Sequence, residues 1–265
     1  MDTKKSKAKY KLAVLMDLPN ASEVVLNNAI GLAKTIDGAV EVLCVKAPVD
    51  VVKSENQLSA MRTIHKDNRT TEAELQKLIQ RVSDREGFPV SWKIAYGNVK
   101  NCIKDYISSK QPSIVVMGKQ RTKLANFFGK GITEFVVNEC GADVLIMGDD
   151  KRFHSFSNLS LGVFGNAVKE YDLDIISDLN RQTTKPTKFF SIGDSGDAPK
   201  EELKDTISYV FSEGSNALDG LTSYVSKTNT ELFCISKQQS KVVLEGQVSP
   251  KEIAQRLDIP VLITK

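Results

Sequence analysis

Residues Tyr96–Gln120, YGNVKNCIKDYISSKQPSIVVMGKQ, have a counterpart in residues Glu213–Gln239, which contain EGSNALDGLTSYVSKTNTELFCISKQQ. Each stretch runs from a glycine through a short polar turn into an amphipathic helix ending in a tyrosine-containing turn. A polar link, an apolar strand and a Lys-Gln pair follow in the same order. Matching apolar runs close both copies, DVLIM at Asp143–Met147 and PVLIT at Pro260–Thr264. Such self-similarity restricts the fold: the chain must build one unit twice and give each copy a core. With 265 residues it has room for two small domains. A polar break at Asp149–Arg152 sets the expected boundary, giving domains 1–150 and 151–265.

Strands and helices alternate within the first copy. Lys11–Met16 is an apolar run too short for a helix and bounded by Asp17 and Pro19, which predicts a buried strand. Ser22 is a candidate N-cap for a helix carrying Val25, Leu26, Ala29, Ile30, Ala33 and Ile36 at helical spacing, with Gly38 as its stop. Further strands are expected at Ala39–Val45, Phe88–Tyr96, Ser113–Met117 and Asp143–Met147. Helices are expected at Glu55–Arg85, with a break near Asp67–Asn68, and at Val99–Ser108 and Ile132–Cys140. The pattern predicts an α/β fold of two tandem, doubly wound, five-stranded parallel sheets of Rossmann-like type. In the second copy only Asp194–Asp205 separates the strands Phe189–Gly193 and Ile207–Phe211, so most of one covering helix is missing there. The bared apolar face is expected to need cover from the first copy or a second chain.

Composition removes several classes of function. The net charge is +3, but the first eleven residues hold five lysines against Asp2, which leaves the rest of the chain near −1. The folded body therefore lacks the basic field of a nucleic-acid binder, and the lysine run reads as a frayed solubilising tail. No stretch reaches about 18 consecutive apolar residues, so no membrane span is expected. Cys44, Cys102, Cys140 and Cys234 are scattered without a C-x-x-C pair or a nearby histidine, which predicts reduced thiols, no metal site and a cytoplasmic location. Trp92 fits sheet-face packing and His65 a surface helix.

In a doubly wound sheet, ligands lie beyond the carboxyl ends of the strands where strand order reverses, here between the first and fourth strands. Asp17 follows the first strand. Gly118-Lys119-Gln120-Arg121 follows the fourth, and Gly129-Lys130-Gly131-Ile132-Thr133 opens the next helix. Glycines leading into a helix present backbone N–H groups to phosphate, and an aspartate accepts hydrogen bonds from a ribose or base. Lys119, Arg121, Lys123 and Lys130 add positive charge around the same loop.

On these residues the chain resembles a tandem member of the universal stress protein family. That family's nucleotide-binding members carry an aspartate after strand one and G-x2-G-x9-G-[ST] after strand four. Gly118 and Gly131 hold the first and third glycine positions, Arg121 replaces the middle one, Ile132 stands where Ser or Thr is expected, and Thr133 comes one place late. Asp17 and Ser22 match D-x-S-x-x-S, with Pro19 at the first serine. The resemblance covers the first copy in order and spacing, and the second as a fold only. It implies strand order 3-2-1-4-5, an adenine nucleotide alpha hydrolase-like sheet, and a non-catalytic cytoplasmic stress-response role. It also implies that Asp17, the backbone at Val45, Met117, Gly118, Gly131 and Thr133 surround ATP or a related adenine nucleotide. Arg121 opposes this: a side chain where positive φ or close approach is needed costs about 1–2 kcal/mol.

In the second copy Gly165, Ser236, Gln239 and Val248 replace Asp17, Gly118, Arg121 and Gly131, so that site is expected to be lost. Three readings follow: a nucleotide-binding stress protein, a scaffold that binds no nucleotide in either copy, and a nucleotide-directed enzyme, for which no nucleophile–base pair or paired carboxylates are evident. Gly193-Asp194-Ser195-Gly196 spells the GDSG of trypsin-like proteases, but those are all-β and need a His and an Asp from elsewhere, while this chain has only His65 and His154. It also resembles the S-G-G-x-D-S loop of ATP pyrophosphatases, which follows a first strand, not a second. By the family's habit of pairing through its last strands, Asp143–Met147 and Pro260–Thr264 are expected to meet as an intramolecular pseudo-dimer, with a further homodimer as an additional expectation.

Overall fold

The computed structural model describes residues 8–16, 23–46, 57–119, 131–148, 156, 158–164, 173–192, 205–214, 216–237 and 250–265. The first five strands are β1 (Tyr10–Met16), β2 (Gly38–Lys46), β3 (Val90–Tyr96), β4 (Ile114–Gly118) and β5 (Asp143–Met147). Between them run α1 (Glu23–Thr35), α2 (Gln57–Glu86), α3 (Val99–Lys110) and α4 (Ile132–Glu139). The second five are β6 (Leu161–Phe164), β7 (Thr187–Ile192), β8 (Thr206–Phe211), β9 (Leu232–Ser236) and β10 (Val261–Thr264), with α5 (Leu173–Arg181), α6 (Ala217–Lys227) and α7 (Pro250–Arg256).

All ten strands join in one sheet, ordered β3-β2-β1-β4-β5-β10-β9-β6-β7-β8. Each half repeats the expected 3-2-1-4-5 order, and neighbours within a half are parallel. At the centre β10 runs antiparallel to β5, with Leu262 opposite Leu145. Two central edges thereby satisfy each other's backbone groups inside one chain. One face of the sheet is covered by α1, α2 and α5, the other by α3, α4, α6 and α7, and each apolar layer runs through both halves. Phe156, just past the polar break, is buried in the first layer, 2.9 Å from where a Cβ on Gly31 of α1 would stand. The repeat also holds in backbone detail. Gln111 after α3 and Asn229 after α6 both turn left-handed, at φ 47° and 53°.

Several expectations need correction. The long helix has no break at Asp67–Asn68: α2 is continuous, because the Asp67 carboxylate pairs with Lys46 Nζ at 2.5 Å instead of capping a new start. Gly38 does not stop α1. Asp37 takes the left-handed turn at φ 55°, while Gly38 begins β2, where a Cβ would lie 2.7 Å from Leu12 Cδ1. The lysine run is held at its end, where Lys9 pairs with Asp178 of α5 and Lys11 lies in β1, while Lys4, Lys5 and Lys7 lie outside the described residues.

The residues 193–204 that link β7 to β8, on which the expected loss of a covering helix falls, lie outside the described residues, but β8 itself is less apolar than expected. In the first half the edge strand β3 turns Val90, Trp92 and Ile94 under α2. The corresponding residues of β8 are Thr206, Ser208 and Val210, in register with Thr187, Phe189 and Ser191. Hydroxyl side chains take two of these three places; Val210, 64% exposed, is the apolar exception.

Candidate functional site

β1 pairs with β2 along its whole length, from Tyr10↔Gly38 to Met16↔Cys44. Its pairing with β4 is much shorter, from Leu12↔Ile114 to Val14↔Val116. β4 stays on β5 as far as Gly118↔Met147. Beyond Val14 and Val116 the register between β1 and β4 ends, at the point where strand order reverses, which is where such sheets hold ligands.

Of the expected site residues, Val45, Met117, Gly118, Gly131 and Thr133 are described; Asp17, Arg121, Lys123 and Lys130 lie outside the described residues. Met117 and Val45 are buried in the core, so each can offer only its backbone to a ligand. Val45 lies one residue past the last β1–β2 pair and is paired on its other side with Ala95. Gly131 caps α4 at φ 106°, a conformation that L side chains rarely adopt, and no side chain caps the helix. Ile132 points into the core with Val136 and Val137, so the first helical position serves packing, and the half-buried Thr133 follows it. Parallel topology brings the ends of β1, β2 and β4 and the start of α4 to one edge of the sheet.

Lys119 does not join this group as expected. Its Nζ donates to the carbonyl of Leu257, just past α7, at 2.7 Å, a favourable place for a cation. A different lysine takes its place near the loop. Lys100, in the first turn of α3, has its ammonium 3.8 Å from the position of a Cβ on Gly131 and 5.6 Å from the Phe135 ring centre. Sequence reasoning did not single out Lys100. The usable signal was Asn98, which accepts from Asn101 N–H and fixes the start of α3 at the site edge.

The second half differs at the matching place. β6 and β9 remain paired one step further, to Phe164↔Ile235. Ser236, in the position of Gly118, is buried and donates from Oγ to the Lys265 carbonyl at 3.3 Å. Gly165, Gln239, Val248, His154 and the Gly193–Gly196 run lie outside the described residues, while His65 falls within α2. Trp92 packs against the core, as expected. Among the described residues no cluster of His, Cys, Asp and Glu is arranged to hold a metal ion, and no helix is long and apolar enough to cross a membrane.

The sheet order and the parting of β1 from β4 define a doubly wound α/β protein of tandem construction. Residues 10–148 match the universal stress protein family, and the chain belongs to that family. The fold is similar to that of a universal stress protein from Archaeoglobus fulgidus, at TM-score 0.69 and 14% identity over 96% of both chains. It is also similar to a Pseudomonas aeruginosa protein assigned to the same family, at TM-score 0.57 and 12% identity over 97% of this chain and 93% of that one. The cytoplasmic domain of a prokaryotic cation chloride cotransporter shares the fold at TM-score 0.51 and 14% identity, covering 96% and 95% of the two chains. Comparison with curated protein sequences gives no match.

Proposed function

We propose that this stress-response protein is a non-catalytic cytoplasmic binder of one adenine nucleotide, ATP or a relative. The nucleotide sits in the first of two domains, 1–150, while the second, 151–265, supports it and binds none. The parting of β1 from β4 beyond Val14↔Val116 carries this reading. Gly131 supports it, because its left-handed backbone leaves the start of α4 free of a capping side chain. Asp17 takes the ribose or base, the backbones of Val45, Met117 and Gly118 line the site, and Thr133 and the α4 amides face the phosphates. Lys100 supplies positive charge beside Gly131, and Arg121 and Lys130 add theirs from the loop.

Calorimetry with ATP tests the reading. The wild type binds one nucleotide per chain, and Asp17→Ala and Gly131→Val each weaken binding at least about tenfold, the equivalent of 1.4 kcal/mol. Absence of binding at millimolar ATP in both the wild type and Arg121→Gly selects the scaffold reading instead. ATP hydrolysis above background that Asp17→Ala abolishes would make the protein an enzyme.

A further inference from the structure

Three lysines stand at the edge of the candidate site, and two of them are already engaged. The Lys46 ammonium is taken up by Asp67 and Thr71, and that of Lys119 by the Leu257 carbonyl. Among the described residues no carboxylate or carbonyl takes up the ammonium of Lys100, and the first turn of α3, where it sits, holds no acidic residue. Its contact is aromatic. The ammonium lies 5.6 Å from the centre of the Phe135 ring of α4, within the range of a cation–π attraction, and 3.8 Å from where a Cβ on Gly131 would stand. A carboxylate in place of the ring would cancel the charge and occupy N–H donors. A ring face attracts the cation and leaves its three donors to other acceptors. Held in this way, the ammonium is restrained beside Gly131 and still able to meet an anion there.

The second half provides an internal control. Gln111 matches Asn229 and Cys140 matches Leu257, so the places of Lys100 and Phe135 are taken there by Leu218 and Glu252. Leu218 is buried. Glu252 pairs with Arg256, which also pairs with Asp219 in the first turn of α6. The half expected to have lost its site keeps neither the cation nor the ring. We propose that Phe135 positions the Lys100 ammonium for a phosphate chain, and that this pair gives the site a preference for nucleotides of higher phosphate charge, ATP over AMP. The proposal rests on the nucleotide reading above. Phe135 acts through Lys100 and is a positioning residue.

Calorimetry at low ionic strength with ATP, AMP and adenosine tests the proposal, run on the full chain as wild type, Phe135→Leu, Lys100→Ala and the double variant. The wild type should bind ATP more tightly than AMP. An exposed cation–π contact corresponds to about a two- to fivefold change in affinity, so Phe135→Leu should weaken ATP binding by about that factor, AMP by less and adenosine not at all. Added to Lys100→Ala it should cost nothing further, and Phe135→Tyr, which keeps the ring, should bind ATP as the wild type does. A loss in Phe135→Leu as large for adenosine as for ATP, or undiminished on the Lys100→Ala background, would show that the ring acts by packing and overturns the proposal. ATP binding that Lys100→Ala weakens and Phe135→Leu leaves intact overturns it too, with the nucleotide reading still standing. A wild type that binds no ATP overturns the nucleotide reading itself and this proposal with it.

Discussion

Lys119 and Leu257 come from opposite halves of the chain and are joined by a 2.7 Å hydrogen bond from ammonium to carbonyl. The contact has a mirror image. Lys237, the counterpart of Lys119 after β9, donates to the carbonyl of Cys140, the residue after α4, at 3.2 Å. Their backbones match as well: Lys119 N–H donates to Met147 and Lys237 N–H to Thr264. Each half thus inserts a lysine at the helix end of the other, flanking the β5–β10 ladder. Lys119→Met and Lys237→Met should each lower unfolding free energy by about 1–2 kcal/mol. Urea denaturation monitored by circular dichroism checks this; stability unchanged in both variants would show the contacts to be incidental.

Asp178 provides a third tie between the halves, accepting from Lys9 Nζ at 2.5 Å and from Tyr10 Oη at 2.8 Å. Burial pushes its pKa up, but these hydrogen bonds and the charges of Lys9 and Arg181 outweigh burial and hold it below the ordinary 3.8. A carboxyl with a lowered folded pKa stabilises fully above its unfolded value and loses that contribution as pH falls through the folded one. Asp178→Asn should therefore cost about 1 kcal/mol at neutral pH, and the gap between wild type and variant should close below about pH 4. Thermal unfolding scanned from pH 3 to 7 reads both effects; a gap independent of pH would contradict them.

Because both apolar layers cross the β5–β10 boundary, cutting the polar break at Asp149–Phe153 should not release two bodies. After limited proteolysis the two fragments should co-elute in native size exclusion and separate only in denaturant. Prompt separation under native conditions would contradict a shared core.

The thiols offer a test of packing. Burial pushes Cys140 up to about 11 and Cys234 up to about 12, and both side chains are enclosed in the core. Cys44 is buried too, whereas Cys102 is half-buried, and burial raises its pKa as well. At pH 7.5 a disulfide reagent should modify Cys102 slowly and the other three only after denaturation. Fast labelling of Cys234 in the native protein would mean that β9 opens.

Sheet order was legible because strand and helix periodicities differ and because the chain contains the pattern twice. The ends of elements were less so where a residue does tertiary work. Asp67 has the composition of a break but is held by Lys46, and Gly38 has the composition of a stop but is required by its contact with Leu12. At the candidate site, Gly131 was legible because backbone conformation restricts residue type. Lys119 and Lys100 were not. Their roles depend on contacts with Leu257 and Gly131, which lie far from them in the chain, and a lysine by itself carries no such information.

If Lys100 serves phosphate and not the purine, its removal should discriminate among ligands. Lys100→Ala should weaken ATP binding severalfold and leave adenosine binding unchanged, as measured by calorimetry at low ionic strength. Equal loss for both ligands would place the ammonium outside the phosphate site.

The central claim is one nucleotide site, placed where β1 parts from β4. Amide hydrogen exchange on the full chain, with and without saturating ATP, tests it most directly. The account predicts slowed exchange confined to the ends of β1 and β4 and the first turn of α4, around Met16, Gly118 and Thr133, with no change at Ser236 after β9. Protection at Ser236 equal to that at Gly118, or no protection at either, would contradict it.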